Sequence, residues 1–180
     1  LAYRKRLAEM RPALKAACGS DVFARIDINT GDVVIGNMGS QQRFNYTFLG
    51  DAGNLASRLE GINKQFGSWI MVSQSTKDAA GEHPDIVFRE LSRVTVVGKK
   101  IPVTVYEPMY RPDWEAKREV CETFDRALRM YYAGDFAGAL ALLEPVAGRD
   151  APSAAYARRV AALVKAPPAE WSGVWDVTEK

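Results

Sequence analysis

The chain has 180 residues, of which 47% are hydrophobic and 26% charged. These fractions are those of ordinary globular proteins, so a collagen, a coiled coil or a disordered chain is excluded as the overall structure. The net charge of +2 provides no strong basic field, and nucleic acid is therefore not an expected partner. Two cysteines, Cys18 and Cys121, suggest neither a disulfide framework nor a zinc site and fit a reducing compartment. Because the sequence starts at Leu1 rather than at a Met, we expect a longer parent protein.

The first elements change from helical to strand periodicity. Apolar residues recur every three or four positions over 1–17, which predicts a helix. In residues 22–29 the side chains alternate between two faces, which predicts a strand. Its expected buried face consists of Val22, Ala24, Ile26 and Ile28. Thr30 and Gly31 favour a turn, so 32–37 is predicted to return as the partner strand of a hairpin.

The clearest helix follows a strand predicted at 43–50. Asp51 stands where an N-cap is expected, and Gly67 occupies a position that commonly ends a helix. Between them, apolar side chains recur at steps of four, three and four residues, at Leu55, Leu59, Ile62 and Phe66. This stripe is predicted to face the core, because residues spaced in this way lie on one face of a helix.

A strand, a helix and a hairpin complete the part of the chain that mixes α and β structure. The strand is predicted at 68–73, followed by a short helix capped by Ser73 or Ser75. The hairpin pairs 86–98 with 101–109. The fold class is therefore predicted as α+β.

The composition changes at residues 111–113, which we interpret as a linker. Ala-rich segments with helical periodicity follow at 114–133, 135–147 and 153–165. Tetratricopeptide-like spacing occurs at Gly134, Phe136, Ala139 and Leu143. A single unit of this kind does not stand alone, so it is expected to pack on something else. We predict two domains, 1–110 and 111–180.

Asn54 and Arg58 have the chemistry of a nucleotide site. They are four residues apart on the predicted helix and share a face roughly 100° from the stripe of Leu55 and Leu59. A guanidinium fork can hold two phosphate oxygens and an amide can orient a ribose, but the pair also fits a solvated helix face. Lys99, at the tip of the last hairpin, allows two interpretations as well, contact with a polyphosphate or simple solvation.

Three other polar residues were considered as metal or catalytic groups. Asp27 and Asp32 flank the first predicted turn and fit either a metal site or, as the favoured interpretation, an exposed sheet edge. His83, the single histidine, lies in a polar loop without a nucleophile or an acid at recognisable spacing. A catalytic triad is therefore not expected.

Four strings occur in order along the chain. They are RIDINTG (25–31), VVIGNMGS (33–40), RFNYTFLGDAGNLASRLEGINKQFG (43–67) and VTVVGKKIPVTVYE (94–107). Together they resemble the C-terminal half of the class III adenylate/guanylate cyclase catalytic domain, whose consensus reads close to R-I-G-I-N-T-G, Y-T-x-x-G-D-x-V-N-x-A-S-R-L-E and G-K-x-x-P-V-x-V-Y. The helical part, with AGDFAGAL (133–140) and EWSGVWDVTEK (170–180), is similar to the C-terminal extension of bacterial cyclases with a CHASE-type sensor.

The resemblance implies a partial ferredoxin-like α+β domain followed by a small all-α extension. It also implies conversion of ATP to cyclic AMP and pyrophosphate, in which the ribose 3′-oxygen attacks the α-phosphorus and two Mg or Mn ions act as Lewis acids. The transition-state pair would fall on Asn54 and Arg58, the polyphosphate lysine on Lys99 and the purine-reading position on Thr47. A threonine there can accept from the adenine amine but can also donate, so adenine is favoured and not proven.

The chain also departs from the family. The two metal-binding aspartates of the family precede the part that this chain matches, so we expect no metal ligands here and no activity of the chain alone. In the family, active sites form between the two domains of a homodimer, one of which gives the metal ligands. Gly53 replaces the usual Val, which is expected to loosen helix packing without changing the chemistry.

Two functions are therefore considered. The first is part of an adenylate cyclase in intracellular signalling, and the alternative is a non-catalytic pseudocyclase or regulatory interaction module. We expect a cytoplasmic domain whose parent is anchored in the inner membrane through segments outside this chain. We also expect the chain to self-associate through an uncovered apolar sheet face that carries Val22, Ile26 and Ile28.

Overall fold

The computed structural model describes residues 1–40, 43–95 and 101–176. The helices are α1 (Ala2–Cys18), α2 (Asp51–Phe66), α3 (Gln74–Ala80), α4 (Arg111–Ala116), α5 (Arg118–Ala133), α6 (Phe136–Leu143) and α7 (Ala151–Lys165). The strands are β1 (Ile26–Ile28), β2 (Val34–Ser40), β3 (Arg43–Leu49), β4 (Ile70–Ser73), β5 (Ile86–Thr95), β6 (Val103–Tyr110) and β7 (Trp175–Asp176). These elements confirm the predicted α+β class.

Five strands form one mixed sheet in the order β1-β4-β6-β5-β7. β1 runs parallel to β4, with Ile26 opposite Ile70, whereas β6 is antiparallel to both β4 and β5. The pairing of β5 with β6 was predicted, but the hairpin of 22–29 with 32–37 is wrong. The chain leaves β1, passes through β2, β3 and α2, and returns beside β1 as β4, because parallel neighbours need a crossover connection.

The apolar face expected on the first strand is only partly as predicted. Regular strand structure is limited to Ile26–Ile28. Val22, Ala24 and Ile26 are half-buried, whereas Ile28 is 43% exposed. Since the strand ends at Ile28, this side chain lies where the chain leaves the sheet.

β2 and β3 form a separate antiparallel ribbon. Ile35 lies opposite Phe48 and Asn37 opposite Tyr46, which places alternate aromatic residues of β3 on one face. The ribbon is apolar and exposed. Its residues that are more than half exposed include Val34, Ile35, Phe44, Tyr46, Phe48 and Leu49. An exposed two-stranded ribbon is marginal by itself, so this surface is the one that most needs a partner.

One hydrophobic core joins the sheet to the C-terminal helices. Leu59 and Phe66 of α2 pack in the same cluster as Phe124, Tyr131 and Tyr156 of α5 and α7, and none of these five side chains is more than 1% exposed. The core is therefore continuous across residue 110, where the two predicted domains were divided.

The C-terminal part is helical, as expected. Residues 111–113, interpreted as a linker, form the first turn of α4, where Pro112 is tolerated because its N–H would have no intrahelical partner. α5 packs against α6, and α6 against α7. The tetratricopeptide-like and CHASE-type character of this part and the division at residue 110 stay predictions. In the described ranges, no helix is long and apolar enough to cross a membrane.

A buried ion pair fastens α7 to the sheet. Arg89 of β5 donates two hydrogen bonds to the carboxylate of Asp150, at 2.9 and 2.6 Å. Asp150 also caps α7 by accepting from the backbone N–H and the hydroxyl of Ser153. Burial alone would raise the pKa of Asp150, but the hydrogen bonds and charge of Arg89, helped by Ser153, hold that pKa below its usual value.

Candidate functional site

Helix α2 presents Asn54 and Arg58 to solvent. Both side chains are exposed and lie one turn apart on the same face, whereas Leu55 and Leu59 are 4% and 0% exposed. The predicted separation of a polar face from a buried stripe is confirmed. The helix begins at Asp51 with Gly50 at the cap position, so Asp51 lies in the first turn rather than at the cap.

The N-terminal end of α2 is held by Asn29, which follows β1. The Nδ2 group of Asn29 donates to the carbonyl of Ala52 at 2.9 Å. Its Oδ1 accepts from the hydroxyls of Ser73 and Ser75 at 2.6 and 3.0 Å. One side chain thus links the ends of β1 and β4 to the first turn of α2, just before Asn54. Sequence reasoning missed this residue, although it lies within RIDINTG.

The last turn of α2 is tied to β1 through a second polar contact. Asn63 donates to the Asp27 carboxylate at 2.8 Å, and Ser68 in turn donates to the Asn63 carbonyl oxygen. Asp27 lies on an edge strand of the five-stranded sheet, as predicted, but its side chain is half-buried rather than exposed. Burial raises the pKa of Asp27 to about 6, against the lowering effect of the Asn63 hydrogen bond, and Glu60 raises it further.

Asp27 should make the fold more stable in mild acid. Its pKa rises from 3.8 in the unfolded chain to about 6 in the fold, so the folded state binds the extra proton between these values and stability falls as pH rises through them. After allowance for the partial exposure of Asp27, this proton binding changes the free energy of unfolding by about 1 kcal/mol. Urea unfolding at several pH values should show the wild type gaining about that much over Asp27→Asn as pH falls from about 7 to about 4. A constant difference between the two proteins over this range would contradict the burial argument.

Gly53 allows close contact between α2 and the ribbon. A Cβ at this position would lie 2.0 Å from the ring of Phe48. The prediction that Gly53 loosens the packing of the helix is therefore wrong, because the Phe48 ring occupies the space that the side chain of the usual Val would need. The contact lies immediately before Asn54.

This contact predicts a change of sign in a double-mutant cycle. In the wild type, Gly53→Ala should lower the free energy of unfolding by about 1 kcal/mol, since the new methyl group displaces the Phe48 ring. In a Phe48→Ala background the same change should raise it by about 0.5 to 1 kcal/mol, because Ala is preferred over Gly in a helix. Chemical denaturation of the four proteins measures both effects. If Gly53→Ala changed the free energy of unfolding equally in the two backgrounds, the contact between residue 53 and Phe48 would be contradicted.

The structure does not join the other two predicted site residues, Thr47 and Lys99, to Asn54 and Arg58 in the part of the chain that it describes. Thr47 is exposed on β3 and, because side chains alternate along a strand, lies on the ribbon face opposite to Phe48. In the described part of the chain, no hydrogen bond joins Thr47 to Asn54 or Arg58. Lys99 lies outside the described residues. The structure thus brings Asn54 and Arg58 together and leaves the roles of all four residues as predictions.

Asp32 lies near the start of α2, since a Cβ on Gly50 would be 3.0 Å from its carbonyl oxygen, but in the described residues no hydrogen bond joins Asp32 or His83 to Asn54 or Arg58. Asp32 is exposed, and His83 uses its Nδ1 to accept from the backbone N–H of Asp85. Within 1–40, 43–95 and 101–176, no three His, Cys, Asp or Glu side chains lie close enough together to hold a metal ion. The arrangement on α2 is instead that of a cationic fork and an amide on a rigid support, which suits binding of a phosphate and a sugar hydroxyl.

Comparison with known proteins points to one family. The family model described as "Adenylate and Guanylate cyclase catalytic domain" matches residues 6–107. The chain is 44% identical over 89 residues to the terminal-differentiation-specific adenylate cyclase of Dictyostelium discoideum, covering 49% of this chain and 4% of that protein. It is 34% identical over 108 residues to adenylate cyclase 1 of Rhizobium meliloti, covering 59% of this chain and 16% of that protein. The chain thus spans a small part of both curated relatives.

A solved structure agrees with these matches. The crystal structure of the adenylyl cyclase CyaB from P. aeruginosa is similar to this chain with a TM-score of 0.50 and 31% sequence identity. The similarity covers 60% of this chain and 54% of that one.

Proposed function

Because the chain belongs to the adenylate and guanylate cyclase catalytic domain family, we propose that it is the C-terminal part of an adenylate cyclase that converts ATP to cyclic AMP and pyrophosphate in intracellular signalling. The observation that carries the proposal is the exposed pair Asn54 and Arg58 on a helix whose neighbouring apolar stripe is fixed in the core. A rigid support of this kind holds functional side chains in one geometry.

Arg58 and Asn54 have distinct roles in this proposal. The ribose 3′-oxygen forms a bond to the α-phosphorus, the bond from that phosphorus to the bridging oxygen breaks, the hydroxyl proton is released and pyrophosphate leaves. Arg58 donates to the oxygens of the reacting phosphate and stabilises their negative charge in the transition state. Asn54 holds the ribose in the orientation for attack. Lys99 would contact the leaving polyphosphate, and Thr47 would accept from the adenine amine.

The divalent ions of this reaction, Mg or Mn, do not fit the described residues, which form no group of three ligating side chains. We propose instead that the ligands of both ions lie in the preceding half of the catalytic domain, and we assign no step to the ions here. The purified chain alone is expected to form no cyclic AMP from Mg-ATP or Mn-ATP.

The absence of a group of three metal-ligating side chains in the described residues is equally compatible with a second candidate, a non-catalytic pseudocyclase or regulatory module. The two candidates differ in what the chain does once the metal-binding half of the domain is supplied. An enzyme gains turnover and a module does not. In both cases we propose a cytoplasmic location, with the parent attached to the inner membrane through other segments.

The test is an assay of the chain joined to the metal-binding half of its catalytic domain. Formation of cyclic AMP from ATP and of cyclic GMP from GTP is measured in parallel with Mg and with Mn. Adenylate cyclase activity predicts that ATP is the better substrate and that Asn54→Ala removes most of the turnover. Turnover of neither nucleotide would contradict the enzyme and support the module, and preference for GTP would contradict the assignment of Thr47.

We also propose that the intact domain works as a homodimer and that the chain self-associates through the β2–β3 ribbon. Phe44 and Tyr46 are 63% and 77% exposed there, and burial of apolar area is worth about 25 cal/mol per Å². Light scattering at micromolar concentration should find the chain larger than a monomer. Phe44→Ser with Tyr46→Ser should return it to monomer, whereas Tyr3→Ser on α1 should not. A monomeric wild type would contradict this surface.

A further inference from the structure

The C-terminal strap, residues 171–176, returns from the helical part to the sheet. It starts on α5, where Trp171 donates its indole N–H to the carbonyl of Tyr131 at 2.7 Å. Gly173 follows with a φ of +72°, against the backbone of Tyr132, where a Cβ would be 3.3 Å from the carbonyl oxygen. This anchored turn directs the next two residues toward the sheet.

The end of the strap pairs with the last strand before Lys99. Trp175 and Asp176 form β7, parallel to β5, with Trp175 opposite Val94 and Asp176 opposite Thr95. Thr95 also donates its hydroxyl to the Asp176 carboxylate at 2.5 Å. β5 therefore gains a partner on its outer edge at the point where the chain continues toward Lys99.

The indole of Trp175 contacts the C-terminal end of α2. Its ring centroid is 4.6 Å from that of Phe66, and its N–H donates to Gln65 at 3.2 Å. On the other side it packs at 4.9 Å against Tyr156 of α7, and Arg159 of α7 lies over the ring at 4.3 Å. Trp175 is only 7% exposed, so α2 and α7 pack on one buried side chain whose backbone pairs with β5.

These contacts mean that α2 is fixed at both ends. Asn29 holds the first turn, and Trp175 holds the last. Gln65 lies seven residues after Arg58, about 10 Å along the helix at 1.5 Å per residue. A rotation of α2 about its N-terminal end therefore displaces Arg58 in proportion to the movement at Gln65. A misplacement of about 1 Å in a reacting group can cost roughly a hundredfold in rate.

We propose that the C-terminal strap couples the helical extension to the catalytic face, and that Trp175 is a positioning residue for Asn54 and Arg58. The proposal rests on the cyclase function proposed above, because it assigns the strap a role in that site. In this proposal the extension does more than pack on the sheet. A displacement of α5 or α7 is transmitted to α2 through the contacts of Trp175.

The first arm of the test is hydrogen exchange of the 180-residue chain, which does not depend on activity. Trp175→Ala should raise amide exchange about tenfold in residues 60–66, which lose their packing on the indole, and in residues 92–95, whose backbone partner β7 loses its anchor. Trp175→Phe keeps a ring on Phe66 and should remain close to wild type. Trp114→Ala is the matched control, since this tryptophan of α4 has the guanidinium of Arg118, at the start of α5, over its ring and not a contact with α2. Unchanged exchange in both segments of Trp175→Ala would overturn the proposal.

The second arm measures kcat and KM for ATP in the domain joined to its metal-binding half. Trp175→Ala should lower kcat about tenfold or more with KM within about twofold, Trp175→Phe should recover most of kcat, and Trp114→Ala should match wild type. If Trp175→Ala does not fold, Gln65→Leu, which removes only the indole hydrogen bond, should still lower kcat. Unchanged kcat in the folded variants would overturn the positioning role. A wild-type domain without turnover would instead overturn the proposed function, and the exchange arm would still decide whether the strap restrains α2.

Discussion

Replacement of Asp150 by Ala is expected to lower the free energy of unfolding by about 3 to 5 kcal/mol. Arg89 would then remain buried in the core beside the ring of Phe124, at 4.4 Å, without the carboxylate that accepts two of its hydrogen bonds. Glu107 lies 3.5 Å from Arg89 and compensates in part. The loss of the α7 cap adds about 1 kcal/mol to the cost. Urea denaturation followed by tryptophan fluorescence measures the sum.

The control removes both charges together. A double variant, Arg89→Met with Asp150→Leu, should recover most of the lost stability, because an apolar pair of similar volume leaves no unpaired buried charge. The free energy of unfolding of Asp150→Asn should lie between those of wild type and Asp150→Ala, since the amide oxygen still accepts from Ser153. Equal stability of wild type and Asp150→Ala would mean that the extension is not fastened to the sheet at this point.

Arg58→Ala is expected to lower kcat roughly a hundredfold to a thousandfold in the domain joined to its metal-binding half, with little change in KM for ATP. In the role proposed for Arg58, the guanidinium stabilises charge that develops in the transition state, so its loss should affect the chemical step more than substrate binding. Steady-state kinetics separates the two constants. Lys64→Ala, another exposed cation near the end of the same helix, is the control and should retain wild-type kcat. If Arg58→Ala raised KM alone, the arginine would bind substrate without a role in the transition state.

Helix α2 was predictable because its structure depends on local pattern. The spacing of Leu55, Leu59, Ile62 and Phe66 determines which face is buried, and Gly67 ends the helix with a φ of +67°. Once that face is known, the exposure of Asn54 and Arg58 follows from the helical period. The resemblance then supplies the expected roles of these two side chains.

The contacts that orient α2 were not predictable, because they join residues far apart in the sequence. Asn29 reaches Ser73 across 44 positions, and Gln65 meets Trp175 across 110. The first hairpin was wrong for a related reason. A turn at Gly31 is compatible with local pairing, but the apolar β4 gives β1 a partner on which α2 can pack, and tertiary packing overrides turn preference.

The most direct test of the proposed shared cyclase site is complementation between two inactive variants of the intact catalytic domain. One carries Arg58→Ala, and the other lacks the metal-binding aspartates. Each variant alone is expected to form almost no cyclic AMP. If Arg58 on one domain acts with the metal ligands of its partner, a mixture of the two contains one complete site per mixed dimer, and cyclic AMP formation returns. A mixture that remains as inactive as its components, although the domains associate, would contradict the assignment of Arg58 to a site shared between two domains.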